Sequence, residues 1–271
     1  MASHGLKIGA RLIVTPHRQR NDRRGRRRGD DPAEWLWGWH AVLAALNNPA
    51  RASVKRLAAT PDRARLLAER YGDCHAVEIA ESAAITRLVP PGSVHQGVAL
   101  RIPALDPLPL EALAKPAEGF LLMLDQVTDP QNVGAIFRAA AAFGARGIIL
   151  QDRHAPALAG ALAKAAAGAV DSIAHAREVN LSRALERLER MGWRAVGLDS
   201  AATDALADVL DGSPAVLVMG SEGEGIRRLV REHCDALARI PMPGGFESLN
   251  VAAAAVVALY EASRSRAGSA P

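Results

Sequence analysis

From residue 120 onward the hydrophobic pattern switches repeatedly between short apolar runs and helical spacing. Runs at 120–126, 147–150, 172–174, 193–198, 215–219 and 237–240 predict strands. The run at 215–219 has no polar position, as expected of a strand covered on both faces. Between the runs, 132–143, 155–167, 181–191 and 226–233 carry helical periodicity. Strict alternation of the two predicts a parallel sheet with helices on both faces, an α/β fold. The last helix begins near Val251 and is apolar all round. Leu249, Ala253, Val256 and Tyr260 share one face, and the opposite face is Ala and Val. Such a helix is buried on more than one side, which predicts packing on its own domain and on a second copy.

A smaller α/β unit precedes it over 34–102. An apolar helix starts at His40 and ends near Asn47-Asn48-Pro49. Strands follow at 54–59, 77–79 and 95–102, with a basic amphipathic helix at 62–71 and a short helix at 82–88. Pro103, Pro107, Pro109 and Pro116 punctuate a stiff linker over 103–118. The more regular second unit then occupies 119–265.

Charge changes the picture only at the N-terminus. Residues 1–31 hold nine Lys and Arg against three Asp, a net of +6, so the rest of the chain is about −2 given the overall +4. A block of this kind cannot form a core. Residues 1–33 are expected to be an Arg-rich tail, read as a phosphate-binding arm. The two cysteines, Cys74 and Cys234, lack metal-type spacing and point to a reducing, cytoplasmic setting. No apolar run reaches the roughly 18 residues that span a bilayer.

Three loops follow predicted strands, at the edge where open α/β sheets bind ligands. The first runs from Asp125 through Asn132 to Gly134, with Arg138 beyond it. Asn132 is either a helix N-cap or a site residue. The second, Met219 to Gly225, places three glycines in six residues. It matches neither GxGxxG nor GxxxxGK[ST], and Glu222 and Glu224 would repel phosphate, so a nucleoside or a cationic ligand fits better. The third, Ile240 to Asn250, carries Gly244, Gly245, Ser248 and Asn250, with Ser248 a candidate cap for the last helix. No Ser/His/Asp set and no His/Cys cluster is present. Binding and positioning, rather than covalent or metal catalysis, is the chemistry these residues suit.

The stretches DPQNVGAIFRAA, VLVMGSEGEGI and IPMPGGFESLNVAAAAVVALYE closely resemble, in order and spacing, the three signature motifs of the SpoU-type RNA 2′-O-ribose methyltransferases of the SPOUT superfamily. The segments WGWHAVLAAL and HQGVAL resemble the small ribosomal-protein-L30e-like substrate-binding domain of the bacterial 23S rRNA guanosine-2′-O-methyltransferases.

The resemblance implies a C-terminal domain tied in a deep trefoil knot, a homodimer joined through the last helix, and S-adenosylmethionine as methyl donor with no metal. It places the donor against Gly220, Ile240, Met242 and Leu249. It places catalysis at Arg138, Asn132, Glu222, Ser248 and Asn250. A guanidinium stays protonated, so Arg138 suits clamping a phosphate or an alkoxide better than acting as base. Glu222 is the candidate general base. RNA, 23S rRNA first, is the implied partner, handled by Lys55, Arg56, Arg63 and Arg65 with Trp37 or Trp39, on a domain that the linker lets dock independently. A tRNA ribose methyltransferase and a non-catalytic RNA-binding or ribosome-assembly protein are the rival readings.

Overall fold

The computed structural model describes residues 34–51, 54–72, 75–244 and 248–267. The Arg-rich tail expected over 1–33, Cys74 and Gly245 lie outside them. In the small unit, β1 (Glu34–Trp37), β2 (Arg56–Ala59), β3 (Val77–Ile79) and β4 (Val98–Ile102) form one sheet in the order β1-β4-β2-β3. β4 pairs antiparallel with β1 and β2, while β2 and β3 are parallel. α1 (Trp39–Asn47), α2 (Pro61–Tyr71) and α3 (Ser82–Thr86) complete it. β1 falls where the sequence shows only an aromatic run. Four residues are too few to display a period, and Gly38 at φ 92 turns the chain straight into α1.

The stretch expected to be a linker contains a helix, α4 (Leu110–Ala114), with Leu110, Leu113 and Ala114 buried. One apolar face of five residues suffices to dock it, although its prolines read as open chain. The larger unit holds β5 (Phe120–Leu124), α5 (Pro130–Ala142), β6 (Gly147–Gln151), α6 (Gly160–Ala165), a 3-10 turn at Ala169–Asp171 and β7 (Ala174–Glu178). α7 (Leu181–Glu189), β8 (Arg194–Leu198), α8 (Leu206–Val209), β9 (Ala215–Met219), α9 (Arg228–Arg231), β10 (Ala236–Ala238) and α10 (Val251–Ala267) follow. The six strands are all parallel, in the order β10-β8-β9-β5-β6-β7.

One face of this sheet packs α5, α6, α8 and α10 around Leu122, Phe137, Leu217 and Leu259. The other packs α4, α7 and α9 around Met123, Leu185, Trp193 and Val216. Burying each such side chain contributes roughly 1.5–3 kcal/mol. α6 is shorter than its alanine pattern, because the chain is irregular from Ala155 and reverses at Gly160 with φ 55. β7 starts later than predicted, because the 3-10 turn occupies the residues before it.

The two sheets meet along a built seam. Ala159 and Ala163, from the larger unit, belong to the core of the smaller one. Arg51 donates from Nε and Nη2 to the two carboxylate oxygens of Asp171, at 2.7 and 3.0 Å, and from Nη1 to the Pro103 carbonyl at 2.9 Å. Asn48 Nδ2 adds a bond to Asp171 at 3.0 Å. The Arg51 and Asp171 side chains are 3% and 4% exposed. The small unit is therefore docked, where its proline-rich connection predicts independence.

Candidate active site

The site is assembled from three loops at the carboxyl ends of β5, β9 and β10. Its local order begins with capping. Asp129, not Asn132, is the N-cap of α5: its carboxylate accepts from Gln131 N at 3.2 Å and Asn132 N at 3.1 Å. Pro130 follows at the first helical position, where its missing N–H costs nothing. Asn132 is thereby freed to project its side chain across the sheet edge. At the other end Asn250, rather than Ser248, caps α10, its Oδ1 accepting from Ala252 N at 2.9 Å and Ala253 N at 3.3 Å.

Glu222 joins the two helix starts. Its Oε1 accepts from Asn132 Nδ2 at 3.2 Å, Asn250 Nδ2 at 2.7 Å and Val251 N at 3.2 Å. Asn250 Nδ2 also donates to Asn132 Oδ1 at 3.0 Å. The carboxylate sits at the N-terminus of α10, the end that favours negative charge. One residue from each of the three motifs thus meets at a single oxygen, although 90 and 28 positions separate Glu222 from its two partners.

The loop carrying Glu222 is held from below. Gly220 is obligatory: a Cβ there would stand 1.9 Å from the Gly225 carbonyl carbon. Gly225 N donates back to Ser221 O at 3.0 Å, and Gly223 and Gly225 take positive φ. Asp125, fully buried at the end of β5, accepts from Arg227 N at 2.9 Å and from Arg227 Nε at 2.8 Å. A charge-assisted pair of this kind ties the second loop to the first. In the sequence its one signal is a carboxylate ending an otherwise apolar strand.

Beside the trio lies a pocket of about 580 Å³, within the range that holds small ligands. Gly220, Ile240, Met242 and Leu249 all line it, as do Glu222, Ser248 and Asn250. Met219, Ala238 and Ala254 give it an apolar floor. Arg138 is not part of this gathering. It is exposed on α5, and no ion pair of it is found among the described residues. Of the four cations expected on the small unit, Arg56 is held by Glu78 at 2.7 and 2.8 Å. Arg63 donates to Gln96 O at 3.0 Å and lies 4.6 Å over the Trp39 ring. Lys55 and Arg65 are exposed, and Trp37 is buried. No cluster of three or more potential metal ligands occurs among the described residues.

Comparison with known proteins decides the family. The model of the SpoU rRNA methylase family matches residues 119–260. The chain belongs to this family. A second model, for RNA 2′-O ribose methyltransferase substrate binding, matches residues 35–108. A Burkholderia protein named 23S rRNA (guanosine-2′-O-)-methyltransferase RlmB is 41% identical over 239 residues, 85% of this chain and 96% of that one. An uncharacterized tRNA/rRNA methyltransferase of Mycolicibacterium paratuberculosis is 45% identical over 181 residues, 65% of this chain and only 58% of the relative. Among solved structures, the AdoMet-bound rRNA methyltransferase of Sinorhizobium meliloti superposes with a TM-score of 0.72 at 29% identity, covering 85% of this chain and 87% of that one. SpoU membership and the α/β fold with its substrate-binding unit agree with the motif reading. No helix among the described residues is long and apolar enough to cross a membrane.

Proposed function

We propose that this SpoU-family chain methylates the ribose 2′-hydroxyl of a guanosine in 23S rRNA, using S-adenosylmethionine. The observation that carries the reading is the convergence of Asn132, Glu222 and Asn250 at the mouth of a pocket lined by Gly220, Ile240, Met242 and Leu249. The pocket fits the donor: it is apolar at its floor, supplies main-chain groups from glycine-rich turns, and places a carboxylate at its mouth. Bound there, S-adenosylmethionine supplies an electrophilic methyl group on a sulfonium.

The chain's own residues then position and polarise. Glu222 Oε1 already accepts three donors. With its lone pairs so engaged, this oxygen serves to hold the two helix starts in register, and base duty is left to its second oxygen. Ser248 lies on the pocket wall within the same loop as Asn250. Arg138 offers an exposed guanidinium on α5, suited to the RNA phosphate or to charge developing on the 2′-oxygen.

α10 leaves Val256 and Tyr260 exposed, at 42% and 51%. They continue along one stripe, and we assign that stripe to a homodimer contact. The tRNA/rRNA methyltransferase name of one relative keeps a tRNA ribose as the second reading. Methyl transfer from labelled donor to purified rRNA and tRNA, with the product mapped, tests both. A 2′-O-methylguanosine in 23S rRNA is the expected product. Labelled tRNA alone selects the second reading, and an unlabelled pool of both removes the activity.

A further inference from the structure

The seam between the two sheets opens on one side into a groove of about 960 Å³, apart from the pocket of the candidate site. Its small-unit wall carries Trp35 and the exposed turn Pro91 to Val94; its other wall carries Pro130, Gln131 and Pro156. Trp35 lies on β1, an edge strand, and is part-exposed. The Arg56 guanidinium sits 5.8 Å from its ring centroid and is fixed by Glu78. Val94 is 68% exposed.

Three features limit what such a groove accepts. Among the described residues that line it there is no carboxylate, and Lys164 is the one charged group. That ammonium donates to Gln96 Oε1 at 2.8 Å, so it is committed to the seam. The walls are an indole and several proline rings, flat apolar surfaces on which a planar heterocycle stacks. Finally, the groove runs into the first turn of α5. Pro130 and Gln131 line it, and the next residue is Asn132, which binds Glu222. The Arg51–Asp171 pair and the Lys164–Gln96 bond hold the two walls in register.

We propose that this groove receives an unstacked RNA base flanking the nucleotide that is methylated, with Trp35 as stacking platform and the Gln131 amide at the base edge. The inference rests on the RNA reading above and adds to it a subsite. The groove takes the base rather than the backbone: among the described residues its lining offers phosphate only one ammonium, already committed to Gln96. Phosphates stay outside.

The test uses the full chain and two labelled single-stranded 12-mer RNAs, one with all its bases and one with abasic nucleotides at its centre. Fluorescence anisotropy measures both affinities. The wild-type chain is expected to prefer the base-containing strand by about tenfold, within the range that base–aromatic stacking contributes. Trp35→Ala should abolish that preference and Trp35→Phe should keep most of it, with S-adenosylmethionine binding unchanged in both. Val94→Glu, at an exposed position that does not challenge folding, should weaken the base-containing strand more than the abasic one. Equal affinity of the wild-type chain for both strands, or an undiminished preference in Trp35→Ala and Val94→Glu, overturns the subsite while RNA binding itself stands. Failure of the wild-type chain to bind either strand or intact 23S rRNA overturns the RNA reading and the subsite together.

Discussion

Two polar clusters in this chain are built on opposite plans. At the seam, Arg51 and Asp171 are almost wholly buried, and Asp171 is bonded by both Arg51 and Asn48. At the loop ends, Asn132, Glu222 and Asn250 bond to one another at comparable distances but in contact with solvent. A buried ion pair contributes little net stability when intact and costs several kcal/mol when one partner is removed. An exposed cluster contributes little either way. The seam's groups are therefore held by what their loss would cost. The loop trio has no such constraint, and its geometry is explained by the pocket it borders.

The largest effect should come from splitting the buried pair. Asp171→Ala should lower unfolding free energy by about 3–5 kcal/mol in urea titration, and a loss under about 1 kcal/mol would erase the contrast between the clusters. Next comes His175, in β7 beside the same seam. It is 4% exposed, its Nε2 has no hydrogen-bond partner among the described residues, and burial, with Arg177 and Arg51 nearby, pushes its pKa down to about 4. Between pH 6.5 and about 4 the unfolded chain binds this proton and the folded chain does not. Stability should fall as pH drops through that window, by about 3 kcal/mol at roughly 1.4 kcal/mol per pKa unit. His175→Leu should flatten the curve there; an unaltered pH dependence would remove His175 as its source.

Effects at the loop ends should be smaller on stability and larger on chemistry. Glu222→Gln keeps an acceptor but loses the charge at the start of α10, so stability should change by no more than about 1 kcal/mol. Methyl transfer should fall about a hundredfold, as small misplacements of reacting groups do. An equal fall in stability and rate would mean that Glu222 is structural. Smallest in stability is Val256→Glu, on an exposed stripe. It should leave the protomer folded and shift sedimentation to the monomer; a dimer of normal affinity would place the contact elsewhere.

The same contrast explains what the sequence makes legible. The apolar run at 215–219 and the glycine loop after it are local patterns, and both stand where the pattern places them; Asn132, Glu222 and Asn250 were singled out by their place on loops at strand ends and by resemblance to known motifs, not by periodicity. β1 and α4 were hidden because four or five residues carry no clear period. Asp129 and Asn250 took the capping roles that Asn132 and Ser248 were candidates for, since several adjacent polar residues compete for each cap and packing chooses among them. The pairs Arg51–Asp171 and Asp125–Arg227 join residues 120 and 102 positions apart, and one-dimensional spacing carries no trace of either.

The turn around Gly220 shapes the pocket that we assign to S-adenosylmethionine. Isothermal titration of that ligand into the wild-type chain and into Gly220→Val tests it most directly. The wild-type chain should show saturable one-site binding, and the variant, whose Cβ would collide with Gly225, should lose it. Heat of binding absent from the folded wild-type chain, or identical in the two, would contradict it.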